Sequence, residues 1–215
     1  MSEVLTRVPE TEQRPNQHLD FFSLSAEDLG RLSESVKRSQ GVVRVFVHPY
    51  FDSYNPKDAD SKNSERIQAG IVSILNSQNA GPDGHNPPVI LMEEEGSIKK
   101  VKGIVSSSVP NSQENVYFVP TAQASPKPII KVAGKFERDD PWPCFRRILS
   151  DIGAKKILIG GMYFWSSGKN AKTLYGCVGE VIKQLSAFEI QVSNFTSPDS
   201  RQDIREAPSK FHKYL

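Results

Sequence analysis

The sequence lacks several features that would assign a function class directly. Its 215 residues contain only two cysteines, Cys144 and Cys177, which form no disulfide framework and match no zinc-binding spacing. Lysine and arginine total 27 against 25 acidic residues. The resulting net charge of +2 gives no general attraction for nucleic acid or an anionic membrane, and neither is expected as a partner.

Long apolar segments are missing as well. No run of about 18 apolar residues occurs, so a membrane-spanning helix is not expected. The N-terminal segment MSEVLTRVPETEQRPNQ lacks the apolar stretch of a secretory signal. Together with the low cysteine content, this favours a reducing, cytoplasmic setting.

Nucleotide-binding fingerprints are also missing. The chain contains neither GxGxxG nor GxxxxGK[ST], the glycine-rich motifs that hold phosphates against a helix N-terminus. No particular cofactor or metal is therefore indicated. The composition, with 37% hydrophobic and 24% charged residues, is typical of a soluble globular protein.

Composition divides the chain into three parts. Residues 1–22 are polar and interrupted by proline, which predicts a flexible N-terminal arm. Residues 23–197 carry the periodic apolar segments and predict a single α/β domain. Residues 198–215 predict a polar C-terminal tail. Within the domain, the pattern of residues 96–113 is ambiguous between a short helix and a hairpin arm.

Strand-like and helix-like segments alternate through the predicted domain. Short β-branched or apolar runs ending in proline, glycine or polar residues predict strands, whereas apolar residues three and four apart predict helices. The candidate helix caps are Ser25, Ser64, either Asp139 or Asp140, and Thr173. This alternation predicts an α/β fold with a doubly wound, mostly parallel, Rossmann-like sheet of five or six strands and helices on both faces. The strands are expected in GVVRVFVHP, PPVILMEEE, ENVYFVPT, KKILIGG and EIQVSNF, with a further short strand at residues 129–132.

Polar residues follow each predicted strand. In an open parallel sheet, ligands bind outside the carboxyl ends of the strands. The candidates are His48, Tyr50 and Asp52 after the first strand, Glu93 to Glu95 after the second, and Thr121 after the third. His48 and Asp52 together suit acid–base chemistry. Alternatively, HPYFDSYNP is a turn in which Asp52 bonds its own backbone.

The later strands end in a second group of candidates. Gly160 and Gly161 allow the backbone to approach either a ligand or a packing element closely. Ser193, Asn194 and Thr196 follow the last strand and offer hydroxyl and amide groups. Trp165 is a candidate for stacking on a ligand ring.

Cys177 lies near the start of a predicted helix. Helix N-termini stabilise a thiolate and present backbone N–H groups that can bind an oxyanion. The alternative is a small apolar side chain that fills space beside Val178, Val181 and Ile182, since free cysteine is often buried.

The C-terminal half of the domain resembles the isochorismatase-like cysteine hydrolases. The similarity is carried by PIIKVAGKFERDDPWPCFRRILSDIGAKKILIGGM and GCVGEVIKQLSAFEIQVSNFTSPDSR. The resemblance implies a Cys–Asp–Lys triad, with Cys177 as nucleophile and Lys131, or alternatively Lys135, supporting charge. His48 occupies the position at which that family has its aspartate, and Asp52 lies four residues further on.

Two hypotheses from different classes follow. The first is a cysteine-dependent hydrolase of small amide-like or ester-like molecules. The second is a non-catalytic, Rossmann-like module that binds a nucleotide or other small anionic ligand at Gly160-Gly161 and Ser193 to Thr196. Both expect a small-molecule ligand. The third option is an interaction protein that uses its polar arms and has no small ligand.

Overall fold

A computed structural model describes residues 26–51, 61–76, 86–109, 115–132, 135–136, 140–162, 165–167 and 173–196. The predicted arm at 1–22 and the predicted tail at 198–215 lie outside these ranges. The helices are α1 (Ala26–Arg38), α2 (Ser61–Asn76), α3 (Ile98–Ser108), α4 (Trp142–Asp151) and α5 (Gly176–Gln184), and a short 3-10 helix, Glu95–Ser97, precedes α3. The strands are β1 (Val42–Val47), β2 (Val89–Glu94), β3 (Val116–Thr121), β4 (Lys131–Val132), β5 (Lys135–Phe136), β6 (Lys156–Gly161), β7 (Trp165–Ser167), β8 (Thr173–Tyr175) and β9 (Glu189–Thr196).

A five-stranded sheet forms the centre of the described fold. Its strand order is β3-β2-β1-β6-β9, and every neighbouring pair is parallel. The chain winds from β1 outward to β2 and β3, then returns to the other side of β1 and continues through β6 to β9. The predicted parallel α/β sheet is confirmed, and its order reverses between β1 and β6.

Hydrophobic clusters cover both faces of this sheet. Alternate residues of β1 point to opposite sides, so that Val43, Val45 and Val47 join one cluster and Phe46 joins the other. The first cluster, called here the α1/α4/α5 core, takes its helical residues from those three helices. The second, the α2/α3 core, takes them from α2 and α3. The helices therefore pack on both faces, as the alternation of elements predicts.

The segment of residues 96–113, for which the sequence allows a short helix or a hairpin arm, contains the helix α3. Val101 and Val105, one turn apart, are buried on its inner side, and this periodicity is sufficient for a helix despite Gly103. At the start of α4, Asp140 Oδ1 accepts a hydrogen bond from the Trp142 amide at 3.1 Å, but the N-cap position is Pro141, one residue after Asp140. None of the helices in the described ranges is long and apolar enough to cross a membrane.

Two of the predicted helix starts are wrong. Helix α2 begins at Ser61, so that Ser64 lies inside it, where its hydroxyl accepts a hydrogen bond from Gln68 Nε2 at 2.8 Å. Thr173 does not cap α5, because it belongs to β8, which pairs antiparallel with β7. Trp165, which the sequence pattern predicts in a loop, lies in the strand β7.

Candidate functional site

The carboxyl ends of the five strands form one edge of the sheet. In the strand register, Val47 lies opposite Met92 on one side and Gly161 on the other, Glu94 lies opposite Thr121, and Gly161 lies opposite Thr196. Residues that are far apart in sequence therefore meet at this edge, hereafter the carboxyl edge. It is the position at which parallel sheets bind ligands.

His48 and Thr121 are joined at the carboxyl edge by their side chains. His48 Nε2 lies 2.9 Å from Thr121 Oγ1, and the two residues are 1% and 0% exposed. The backbone N–H of His48 also donates to the carbonyl oxygen of Met92 at 2.8 Å. His48 has a φ of 49°, a left-handed conformation that turns the chain at the end of β1.

Two carboxylates at the end of β2 hold the neighbouring loops. Glu93, which is fully buried, accepts a hydrogen bond from the backbone N–H of Tyr50 at 2.9 Å. Glu94 accepts one from the backbone N–H of Ala124 at 2.8 Å. Because successive residues of a strand point to opposite faces, Glu93 fixes the loop after β1 and Glu94 fixes the loop after β3, each on its own side of the sheet.

Burial perturbs the ionisable groups of the loop after β1. Removal from water lowers the pKa of His48 to about 4 from an ordinary value of 6.5, because burial disfavours the charged imidazolium. Burial, with a contribution from the nearby charge of Glu93, raises the pKa of Tyr50 to about 12. His48 is therefore neutral near pH 7, and Tyr50 keeps its phenolic proton.

An open cleft lies beside the ends of β2 and β3. Its volume is about 630 Å³, which falls in the size range of small-molecule sites. Glu94, Glu95 and Gln123 supply polar groups, and Phe51 and Ile129 supply apolar surface. Gly96, Ser97, Thr121 and Ala124 complete the described part of the lining.

Gly161 has a packing role at the end of β6. A Cβ atom at this position would lie 2.1 Å from the carbonyl oxygen of Val47, and Gly161 has a φ of 126°. The next residue, Met162, donates its backbone N–H to the same Val47 oxygen at 3.0 Å. The close approach of β1 to β6 is therefore sufficient to explain the glycine at position 161, without a ligand.

Cys177 lies in the first turn of α5, half-buried, and packs against both hydrophobic cores. Since the sheet separates these cores, a side chain that touches both lies beyond the ends of the strands. The helix α5 starts after the carboxyl end of β6, which places Cys177 at the carboxyl edge. Cys144 also lies in the first turn of a helix, α4, but it packs against the α1/α4/α5 core alone.

The remaining predicted site residues are described in part or not at all. Asp52 lies outside the described residues. Lys131 is in β4, Lys135 in β5 and Trp165 in β7, but the description of these three positions extends only to the backbone. Asn194 and Thr196 lie in β9, and their description also extends only to the backbone. Ser193, in the same strand, is half-buried.

One feature of the site was not predicted from the sequence. The side-chain bond between His48 and Thr121 joins residues 73 positions apart, and no local pattern indicates such a pairing.

The fold and the carboxyl edge define the class of this protein as an α/β protein with a doubly wound parallel sheet. Comparison of the chain with protein-family models, with curated protein sequences and with solved structures gave no match.

Proposed function

We propose that the protein is a cysteine-dependent hydrolase of small amide-like or ester-like molecules, with Cys177 as its nucleophile. The observation that supports this proposal is the contact of Cys177 with both hydrophobic cores, which is expected of a side chain near the edge where parallel sheets bind ligands. The half-buried position leaves part of the side chain accessible. The sequence resemblance to isochorismatase-like hydrolases points to the same residue.

The first turn of α5 suits a nucleophilic thiol. The partial positive charge at a helix N-terminus favours the thiolate, and its backbone N–H groups can bind an oxyanion. In the proposed reaction, the thiolate attacks the substrate carbonyl carbon, and the amine or alcohol leaves with a proton. Water then hydrolyses the thioester and regenerates the thiol. The sequence offers Asp52 and His48 as bases and Lys131 as the cation that supports the developing charge.

Trapping of the acylated enzyme tests this proposal. The folded protein is mixed with p-nitrophenyl acetate, quenched in acid, digested and analysed by mass spectrometry. We expect an acetyl group on Cys177 but not on Cys144, which is also half-buried in the first turn of a helix. Release of p-nitrophenol should disappear in Cys177→Ser and persist in Cys144→Ser. Equal acetylation of both cysteines, or none, would contradict the proposal.

A non-catalytic binding module is the second candidate. It is supported by the cleft of about 630 Å³ beside β2 and β3, which is separate from Cys177 in the described structure. Carboxylates of Glu94 and Glu95 in its lining repel a small anion and accept hydrogen bonds from hydroxyl groups. The hydroxyl groups of a ribose therefore suit this lining better than a phosphate or another small anion does.

Thermal unfolding with adenosine, AMP and inorganic phosphate distinguishes these ligands. A ligand present at 100 times its dissociation constant stabilises the folded state by about 2.7 kcal/mol. Binding in the cleft predicts a shift with adenosine that is reduced in Glu94→Gln, a substitution that keeps an acceptor for the Ala124 amide. A shift with phosphate alone would place the anion elsewhere, and no shift with any of the three would reject this candidate.

A further inference from the structure

Side chains at the carboxyl edge connect three strands that end next to one another. Strand β2 lies between β1 and β3, so the ends of β1 and β3 share no backbone hydrogen bonds. The contact of His48 Nε2 with Thr121 Oγ1, at 2.9 Å, passes over the end of β2 and joins them. Both residues are almost completely buried, and a hydrogen bond there is protected from competing water.

His48 is held at two points. Its backbone N–H is bonded to Met92 of β2, and its ring is bonded to Thr121 of β3. The carbonyl oxygen of His48 accepts the backbone N–H of Phe51 at 3.1 Å, which closes the turn after β1. The orientation of that turn therefore depends on where the imidazole ring is anchored.

We infer that His48 is a positioning residue, which fixes the loops after β1 and β3 relative to each other, and that it is not the base of the proposed reaction. The second half of this inference rests on the proposed function, and the first half does not. A base must reach the proton that it removes. His48 is 1% exposed, and its Nε2 lies 2.9 Å from Thr121 Oγ1.

The electrostatics of the buried ring agree with this geometry. Burial lowers the pKa of His48 to about 4, which makes the imidazole a weak acceptor of protons near neutral pH. Of the two bases that the sequence nominates, this leaves Asp52. The His48 ring then serves to keep the loops after β1 and β3 in a fixed relative position. Glu93 and Glu94 of β2 bind the same two loops through the backbone N–H groups of Tyr50 and Ala124.

A double-mutant cycle measures the connection without any assumption about activity. His48→Phe replaces the ring by an apolar one, Thr121→Val removes the hydroxyl at nearly constant shape, and both are combined. Urea unfolding gives the unfolding equilibrium constant of each variant. We expect a coupling of about tenfold, which corresponds to about 1.4 kcal/mol. Strictly additive effects would overturn the positioning role.

Thr121→Ser serves as the matched control. It keeps the hydroxyl and loses only a methyl group, so it should retain most of the coupling that Thr121→Val removes. If His48→Phe does not fold, His48→Leu replaces it in the cycle, because it also removes both ring nitrogens and leaves Thr121 without this partner. Loss of coupling in Thr121→Ser equal to that in Thr121→Val would show that packing, not the hydrogen bond, joins the strands.

The pH dependence of Cys177 alkylation by iodoacetamide separates positioning from acid–base catalysis. In His48→Gln, we expect an apparent pKa of Cys177 equal to that of the wild type. The limiting rate of Cys177 alkylation at high pH should differ from the wild-type rate in Thr121→Val and return to it in Thr121→Ser. A displacement of the apparent pKa by about one unit or more in His48→Gln would identify His48 as an acid–base partner and overturn the inference. If Cys177 of the wild type resists alkylation, the hydrolase proposal fails. The double-mutant cycle of His48 and Thr121 then still tests whether His48 positions the two loops.

Discussion

Acidification should destabilise the fold through His48, by an amount that follows from its burial. The imidazole is neutral in the folded state because its pKa is about 4, whereas its ordinary value is 6.5. As the pH falls below about 6.5, the unfolded chain binds a proton at His48 that the folded chain does not, so stability decreases. The decrease continues until the pH passes about 4 and is constant below that value. Between pH 7.5 and pH 5, this linkage amounts to about 2 kcal/mol.

The effect is measured by urea unfolding at pH 7.5, 6.0 and 5.0 for the wild type and for His48→Gln. Other groups titrate in the same range, but they are common to both proteins and cancel in the difference. The wild type should lose about 2 kcal/mol more than His48→Gln over this interval. Parallel pH profiles would mean that His48 is solvated in the folded protein, and both its burial and its bond to Thr121 would be refuted.

Two further predictions concern the sheet. Gly161→Ala should lower the free energy of unfolding by about 3 kcal/mol or more, because its Cβ would overlap the Val47 backbone. Gly103→Ala, at an exposed helical position with open space around it, should instead raise the free energy of unfolding by about 1 kcal/mol. Equal effects of the two substitutions in urea unfolding would refute the close approach of β1 to β6. Arg44→Met should raise the free energy of unfolding by about 1 kcal/mol. The reason is that Arg44 Nη1 is buried with no hydrogen-bond partner in the described structure, and burial lowers the Arg44 pKa. Destabilisation by Arg44→Met in the same assay would reveal a partner for the guanidinium.

Much of the fold could be predicted because local pattern and tertiary structure agree. β-branched runs such as VVRVFV form central strands, where both faces are buried. The alternation of such runs with helix-length segments leads to a parallel sheet through the handedness of the connections. The hairpin of β7 and β8 was missed, because three-residue strands are too short to show a period of two. The start of α2 was misplaced because Ser64 resembles a cap but is buried inside the helix.

The position of the candidate residues in the sheet was predictable, but their contacts were not. Parallel strands bring their carboxyl ends together, so the sequence correctly placed His48, Glu93, Glu94 and Thr121 at one edge. The sequence did not indicate which of these residues bond to each other, because that depends on side-chain directions across three strands. The burial that makes His48 a weak base is likewise a tertiary property. The reason for glycine at 161 emerged only from its distance to the Val47 carbonyl oxygen.

The chemical state of Cys177 is the property that most directly tests the proposed hydrolase. The rate of iodoacetamide labelling of the folded protein is measured from pH 5 to pH 10, with Cys144 followed in the same digests. We predict that Cys177 reacts with an apparent pKa well below the ordinary cysteine value of about 8.5, while Cys144 does not. If Cys177 is labelled only after denaturation, or titrates no lower than Cys144, the thiol is a packing group and the protein is not a cysteine-dependent hydrolase.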